Sequence, residues 1–289
     1  MSVKNSFFFT LLLFNFIQPV LANTQAPVAH NSMADECDEP IARVMNEYDL
    51  TKKKGSLVCP NDLINPQKGK KVQILCYLNN KILKLGKGPV DDDPNKCAEI
   101  SLSIGSCIDN LEQCPKPKKQ NTNKKLPKII TPFGFSILNL RPSISWKPVS
   151  GATSYIVVVD GNGVQWSKET KNIALPYPED APSLKNGSFY SVDVIVKRNG
   201  VLANYDSTIL IVLRNNQVQE IKKNIQIIKS LKLSPDEEAR DLDAIYMSAN
   251  LLNKSIRLLE QRISAGSTDP IIHNLLKERY KKAELPEEK

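Results

Sequence analysis

Six cysteines are the residues of this chain whose types and spacing point most directly to a chemistry. They all lie in the first 114 residues: Cys37, Cys59, Cys76, Cys97, Cys107 and Cys114. An even number in so short a span is typical of a disulfide framework in an exported protein. Zinc is the alternative, but no C-x-x-C pair is present. Spacing alone does not choose the pairing; our working prediction joins Cys59 to Cys76, and Cys97 to Cys107 or Cys114.

Residues with other recognisable chemistry are few. The chain holds two histidines: His30 lies in the predicted mobile leader, and His273 has no acidic or thiol partner in sequence that would suggest a catalytic triad. It contains no phosphate-binding glycine loop and no nucleophile elbow. We therefore predict a non-enzymatic protein with no cofactor and no metal. A glycosidase-like enzyme working through paired carboxylates remains the alternative.

One acidic run resembles a calcium loop at first. Asp91, Asp93 and Asn95 occupy alternate positions, as calcium ligands do. The sixth position of such a loop is Lys96 rather than glycine, and the twelfth is Leu102 rather than glutamate. We interpret the run as a proline-containing turn.

The first 22 residues predict export. A lysine precedes an apolar run over 7–16, and Val20, Leu21 and Ala22 then supply the small residues of a cleavage site. The run is too short and interrupted for a membrane span, although retention as an anchor is the alternative. We expect a protein of the periplasm or cell surface with no transmembrane segment after cleavage.

Charge suggests the class of partner. The net charge is +8 and the pI is near 9.0. Such a balance favours an anionic wall polymer or glycan or a membrane surface, and export argues against nucleic acid. A solvated basic surface without a specific partner is the simpler interpretation.

The elements that would carry these residues divide the chain into segments. Residues 23–49 are predicted to be a mobile leader with a short helix, because Ile41, Val44, Met45 and Tyr48 have helical spacing. A cysteine-rich β module follows over 50–114, with strands at 56–59, 71–78 and 81–85 and a tight turn at Asn79-Asn80. Residues 115–131, rich in lysine and proline, are predicted to be a linker.

Residues 132–214 alternate apolar and polar side chains in short segments separated by glycine and asparagine turns. The inward series are Ile144 and Trp146; Tyr155, Val157 and Val159; and Tyr190, Val192, Val194 and Val196. Alternation with regular turns predicts an antiparallel β-sandwich. Trp166 has two interpretations: part of the core, or an exposed contact for a sugar or a protein.

The same stretch resembles a fibronectin type III domain. The family's opening motif is matched in order by Pro142, Trp146, Val149, Gly151, Ala152, Tyr155 and Val157. A second motif, L-x-x-G-x-x-Y, is matched by Leu184, Gly187 and Tyr190. The resemblance implies structural roles for Trp146, Tyr155 and Tyr190, with the Tyr190 hydroxyl bonded to upstream backbone as a tyrosine corner. It departs from the family between Trp166 and Pro182.

Residues 215–285 are helical by period. Ser234-Pro235 and Asp269-Pro270 have the residue types of helix starts, and Gly266 that of a helix end. Leu242 and Leu276, and Tyr246 and Tyr280, are each 34 residues apart. This period resembles the tetratricopeptide repeat, of which one full unit and the start of another fit.

The predicted fold class is thus α+β multidomain: a small disulfide-containing β module, a fibronectin type III-like sandwich and a C-terminal helical hairpin segment. The order of segments resembles exported envelope proteins of bacteria, of the cyanobacterial type. It implies a non-enzymatic binding or scaffold protein that mediates protein–protein contacts in the periplasm or at the cell surface. Binding of carbohydrate or cell wall is the alternative.

Overall fold

A computed structural model describes residues 37, 40–90, 97, 126–132 and 136–283. Within them the fold is mixed α+β, with many strands, four helices and two disulfides. The predicted signal segment, the leader up to residue 36, the turn at 91–95 and most of the predicted linker lie outside the described residues. His30, Cys107 and Cys114 lie outside them as well.

Six short strands occupy the N-terminal part. They are β1 (Ala42–Val44), β2 (Leu57–Val58), β3 (Leu63–Ile64), β4 (Val72–Cys76), β5 (Ile82–Leu85) and β6 (Gly88–Pro89). Four of them form an antiparallel sheet in the order β2-β1-β4-β5, called the N-terminal sheet below, while β3 pairs with β6. Asn80 has φ of 57° in the β4–β5 turn, as predicted for an asparagine there.

The short helix predicted from the spacing of Ile41, Val44, Met45 and Tyr48 is wrong, because residues 42–44 form strand β1. This strand pairs on one side with β2 and on the other with β4. Ala42 and Val44 point into one core, whereas Arg43 points to the opposite face. The local spacing of apolar residues favours a helix. Among the described strands, however, β1 is the one that lies between β2 and β4 and pairs with both, and this pairing outweighs the local preference.

The disulfide pairing is also corrected. The structure joins Cys37 to Cys59, and Cys76 to Cys97. Cys59 follows β2 and Cys76 ends β4, and these two strands lie on opposite sides of β1. Two strand spacings are about 10 Å, more than the Cα separation of about 7 Å that a disulfide can bridge. The predicted Cys59–Cys76 bond therefore could not form in this sheet.

Two sheets follow in the middle of the chain. Their strands are β7 (Ile129–Thr131), β8 (Ser136–Ile137), β9 (Ile144–Trp146), β10 (Ser154–Gly161), β11 (Val164–Thr170), β12 (Ala174–Leu175), β13 (Phe189–Arg198) and β14 (Val201–Val212). One sheet has the order β11-β10-β13-β14-β8 and the other β12-β9-β7. Every pairing is antiparallel except that of β8 with β14.

The predicted inward positions of these strands are all buried. Ile144 and Trp146 from one sheet and Val157, Val192 and their neighbours from the other form one apolar core. We call these two sheets and their common core the two-sheet unit. The apolar run over 208–213 predicts a last strand there, but the strand starts earlier, at Val201, because β13 and β14 form one long hairpin through Asn199-Gly200.

Four helices complete the described chain: α1 (Asn215–Ser230), α2 (Pro235–Ser248), α3 (Leu252–Ser264) and α4 (Pro270–Lys282). The predicted starts are confirmed. Ser234 caps α2 and forms a reciprocal capping box with Glu237, and the Asp269 side chain accepts a hydrogen bond from Ile271 N at the start of α4. Among the helices within the described residues, none combines the length and apolar character needed to cross a membrane.

The helices pack on the N-terminal sheet as well as on one another. Ile221 and Ile228 of α1 and Leu242 and Ile245 of α2 pack in one cluster, which also contains Met45 and Leu75 from the N-terminal sheet and Leu213 after β14. The N-terminal sheet is consequently buried on both faces: Leu75 faces the helices and Ile74 faces the sheet's own small core. The described residues from 40 onward belong to one compact unit.

Candidate binding surface

A buried ion pair holds the N-terminal sheet to helix α2. Arg43 is 1% exposed; its Nε lies 2.5 Å from Asp241 Oδ2, and its Nη2 donates to Asp241 Oδ1 at 3.0 Å. Tyr77 Oη donates to the same Asp241 Oδ1 at 2.7 Å. Burial raises the pKa of Tyr77, and the Asp241 carboxylate raises it further, so this hydroxyl remains a neutral donor.

A second polar contact fixes the other end of the sheet. The Asn80 side chain, in the β4–β5 turn, donates to the Ile245 carbonyl at 3.2 Å and to Ser248 Oγ. Asn224 of α1 donates to the Asn80 carbonyl at 2.7 Å. With the apolar cluster beneath, these bonds make the sheet a rigid base for what lies on its other side.

Three extended segments cover that other side. Residue 49 pairs with 66, and β3 pairs with β6, so residues 48–50, 63–67 and 87–89 lie side by side. We call this layer the outer ribbon. Ile64 points inward into the core of the sheet, while its neighbour Leu63 points outward. Alternation along an extended chain thus divides the ribbon into a buried side and an exposed side.

Asp49 organises the ribbon from its buried side. One carboxylate oxygen accepts hydrogen bonds from Thr51 N, Thr51 Oγ1 and Lys52 N, and the other accepts from Asn65 N. Burial opposes ionisation of this carboxyl, but these bonds from Thr51, Lys52 and Asn65 prevail and hold its pKa below the ordinary value. A charged Asp49 therefore fixes the relative position of the first two segments.

The exposed side of the ribbon carries apolar residues. Tyr48 is 39% exposed, Leu50 63% and Leu63 67%. Leu50 N donates to Asn65 O and Gln67 N donates to Tyr48 O, which places residues 48, 50, 63, 65 and 67 on one face. Leu63 is the diagonal neighbour of Leu50 across this pairing, so the two side chains lie within reach of each other.

Lysines surround the apolar side chains. Lys68, Lys70, Lys71 and Lys87 are all exposed, and we call them the lysine rim. Lys68 and Lys70 belong to a turn closed by the bond from Lys70 N to Gln67 O, which Gly69 permits with φ of 74°, and Lys71 follows this turn directly. Lys70 Nζ lies 5.2 Å from the centre of the Tyr48 ring, within cation–π range.

Positive charge is concentrated in this part of the chain. Residues 40–90 contain ten lysines and arginines against three aspartates and glutamates. Arg43 is neutralised by Asp241, and Lys52 by Asp62 at 3.0 Å, which leaves eight exposed lysines and one exposed acid, Glu47. Asp91 to Asp93 follow in sequence, outside the described residues. Sequence reasoning missed this surface, although the local excess of lysine could have indicated it.

The aromatic residues predicted as structural lie inside the two-sheet unit. Trp146 is fully buried against Tyr155, with ring centres 5.2 Å apart. Tyr155 Oη accepts from Val149 N at 2.9 Å, and Tyr190 Oη accepts from Lys185 N at 2.8 Å. The predicted bond from Tyr190 to upstream backbone is thus present.

Trp166, the predicted partner contact, is half-buried. It packs against the core of the two-sheet unit and meets the Tyr177 ring edge-on at 5.2 Å between centres. The Arg141 guanidinium lies over the Tyr177 ring, 5.1 Å from its centre. The role of Trp166 as a partner contact stays a prediction. Trp166 lies in β11, which does not pair with any described strand of the outer ribbon.

A polar groove of about 480 Å³ lies elsewhere on the two-sheet unit. Ser154 donates to Glu169, and Lys197 Nζ lies 2.9 Å from Glu169 Oε2. Hydrogen bonds from Ser154 and Lys197 hold the pKa of Glu169 below its ordinary value. Within the described residues, no three His, Cys, Asp or Glu side chains gather as a metal site requires.

The sequence matches no model of a known protein family and no curated protein. The functional argument for this chain therefore depends on its own surfaces.

Proposed function

We propose that the protein is a non-enzymatic, exported binding or scaffold protein, and that its N-terminal sheet provides the contact surface for an acidic partner. The observation that carries this proposal is the imbalance of eight exposed lysines against one exposed acid over residues 40–90. Such a surface attracts anionic groups and accelerates encounter with them. The acidic face of an envelope protein, an anionic wall polymer and an anionic membrane surface all have the complementary charge.

The rigid attachment of the sheet supports a scaffold role. Two disulfides, the Arg43–Asp241 pair and the Asn80 contacts all fix the sheet rather than leave it mobile. A surface that is ordered before binding loses little conformational entropy when a partner arrives. The two disulfides are compatible with export.

We also propose that the two-sheet unit is fibronectin type III-like and that the helices are tetratricopeptide-like. The fibronectin type III-like reading is supported by the two-sheet core around Trp146 and by the bond to the Tyr190 hydroxyl from Lys185, five residues upstream. The tetratricopeptide-like reading is supported by the equivalent caps Ser234 and Asp269, each followed by proline. Domains of both kinds serve as frameworks for binding rather than for catalysis.

The test is binding to a soluble polyanion with no apolar part. We expect the protein to bind dextran sulfate but not uncharged dextran, with an affinity that falls as salt rises. The variant Lys68→Gln/Lys70→Gln/Lys71→Gln removes three rim charges and should weaken binding about tenfold or more. Titration by fluorescence anisotropy at two salt concentrations measures both effects.

A matched control removes the same charge elsewhere. Lys168, Lys222 and Lys229 are exposed residues of β11 and α1, and Lys168→Gln/Lys222→Gln/Lys229→Gln has the same net charge as the rim variant. If both variants lose affinity equally, binding depends on net charge alone and the proposed contact surface is wrong.

Glycan binding is a second candidate, favoured by the groove on the two-sheet unit. Thr153, Ser154, Glu169 and Lys197 offer hydroxyl, carboxylate and ammonium groups of the kind that hydrogen-bond sugar hydroxyls. A glycan array with the protein and with Glu169→Gln tests it. Glycan binding that Glu169→Gln leaves unchanged would exclude this groove.

A further inference from the structure

We infer that the outer ribbon is a docking surface for an anionic lipid membrane, with Leu50, Leu63 and Tyr48 entering the interface and the lysine rim contacting acidic headgroups. The inference rests on the proposed function and names the class of its acidic partner. It is carried by the combination of exposed apolar side chains with surrounding lysines, which a purely polar anion would not require.

The first step concerns the apolar side chains. Leu50 and Leu63 are each more than 60% exposed although Ile64, the direct neighbour of Leu63, is buried. Leucine on the solvent side of a paired segment gains nothing from the fold of the protein, whereas entry into the headgroup boundary removes it from water. A soluble polyanion offers no such apolar environment.

The apolar side chains and the rim lysines lie close to one another. The apolar side chains lie on the outside of the outermost layer, and Asp49 holds the layer to the sheet beneath. Lys70 leans over Tyr48, and the other rim lysines come from the turn beside it and from the residue before β6. Aliphatic stems of lysine extend along apolar surface while the ammonium group reaches the headgroups, so the rim and the leucines can contact one membrane together.

The third step concerns charge. Each lysine near an anionic membrane surface strengthens binding about fivefold, and the attraction falls off within a Debye length. Glu47, the exposed acid of residues 40–90, is next to Tyr48 and offsets one of the four rim lysines. The rim thus contributes the net attraction of three lysines, which makes the binding salt-sensitive.

A second exposed apolar pair provides the comparison. Val201 and Leu202, at the start of β14, are 69% and 58% exposed. They follow the turn at Asn199-Gly200 and lie opposite Arg198 and Lys197, of which Lys197 is paired with Glu169. Exposure of apolar residues alone would make both pairs bind membranes, whereas the inference assigns binding to the ribbon.

The experiment uses the secreted protein, with its N-terminus determined by mass spectrometry, and vesicles of phosphatidylcholine with or without about one third phosphatidylglycerol. We expect flotation with the anionic vesicles only, decreasing as salt rises. Leu50→Ser/Leu63→Ser and the triple rim variant Lys68→Gln/Lys70→Gln/Lys71→Gln should each lower the partition coefficient about tenfold or more. Val201→Ser/Leu202→Ser and the matched lysine control should stay within about twofold of the parent protein.

A spectroscopic readout locates the contact. Trp146 is buried and Trp166 half-buried, so a tryptophan placed in the ribbon by Tyr48→Trp adds an exposed signal. Brominated phosphatidylcholine in the anionic vesicles should quench this added signal. An added signal that stays unquenched while the protein floats would overturn the ribbon as the docking site.

Failure of the inference and failure of the proposed function give different results. Binding to dextran sulfate that depends on the rim, together with vesicle binding that Leu50→Ser/Leu63→Ser does not weaken, retains the basic contact surface and overturns the lipid assignment. Rim-dependent binding to dextran sulfate with no vesicle binding at all does the same. Absence of binding to both probes overturns the inference and the proposed surface together.

Discussion

The two-sheet unit and the N-terminal sheet are both built from short strands, but they reach stability in different ways. The two-sheet unit has eighteen buried residues in its own core, and the chain has no cysteine beyond 114 to support it. The N-terminal sheet has nine in its own core and adds two disulfides, a buried ion pair and the packing of helices on its second face.

The size of its core decides which further interactions a β structure needs. A large core buries enough apolar surface to offset the conformational entropy of its strands, whereas a small one does not. Disulfides and partner layers make up the deficit in the N-terminal sheet. The same arrangement leaves its outer ribbon free to carry exposed leucine and lysine, since the core lies beneath the ribbon.

Loss of the buried ion pair is expected to have the largest effect on the stability of the N-terminal sheet. Asp241→Asn leaves Arg43 inside the protein without its counter-charge, and we expect it to lower the free energy of unfolding by about 3–5 kcal/mol. Chemical denaturation measures the change. The matched control is Asp236→Asn, at a pair with Arg262 whose side chains are 29% and 20% exposed, and it should cost about 1 kcal/mol or less.

A compensating variant tests whether the ion pair is needed or only costly to break. Arg43→Met/Tyr77→Phe/Asp241→Leu replaces the whole polar group with apolar side chains of similar size and should restore most of the lost stability. A triple variant as unstable as Asp241→Asn would show that the apolar surfaces around the ion pair cannot pack without it.

Reduction of the disulfides should separate the two regions next. Each bond closes a loop of 22 or 21 residues and should contribute about 3 kcal/mol. Because Met45 and Leu75 share a core with α1 and α2, reductant should speed hydrogen exchange in β4 and in these helices while β13 stays protected. Native-state exchange with mass spectrometry measures this. Full protection of α2 after reduction would mean that the helices are independent of the sheet.

A single hydroxyl sharpens the account of the two-sheet unit. Tyr190→Phe leaves the Lys185 N–H without its acceptor and should cost about 1–3 kcal/mol in unfolding free energy. The control is Tyr205→Phe on the partly exposed outer side of β14, expected to change stability by about 0.5 kcal/mol or less. Equal effects of the two variants would remove the corner bond as a source of stability.

The smallest expected effect is the pH dependence contributed by Asp49. Its pKa is lower in the folded protein than the ordinary value of 3.8, so its stabilisation is present above that value and is lost as pH falls through the folded pKa. Asp49→Asn should cost about 1–2 kcal/mol at neutral pH, and its difference from the parent protein should shrink below about pH 4. Denaturation between pH 3 and 7, about the range in which carboxylates titrate, measures it. A constant difference across that range would contradict the role of the charge.

Hydrophobic periodicity, helix-capping residues and turn residues in the sequence determined most of the strands and helix starts. Alternation predicted the inward positions of β9, β10 and β13, and Ser234-Pro235 and Asp269-Pro270 predicted two helix starts, because strand and helix periods and caps depend on neighbouring residues only. The strand at β4 and the Asn79-Asn80 turn were predicted for the same reason.

Only the tertiary structure decided β1, the disulfide partners and the outer ribbon. Residues 42–44 form a strand because they pair with β2 on one side and with β4 on the other. The same strand separates Cys59 from Cys76. Arg43 and Asp241 are 198 residues apart in sequence, and no local pattern connects them. Leu50 and Leu63 look like core residues in sequence, and their exposure follows from which side of the ribbon the core occupies. Strand neighbours and layer order are set by contacts distant in the chain, and a local pattern carries no information about those contacts.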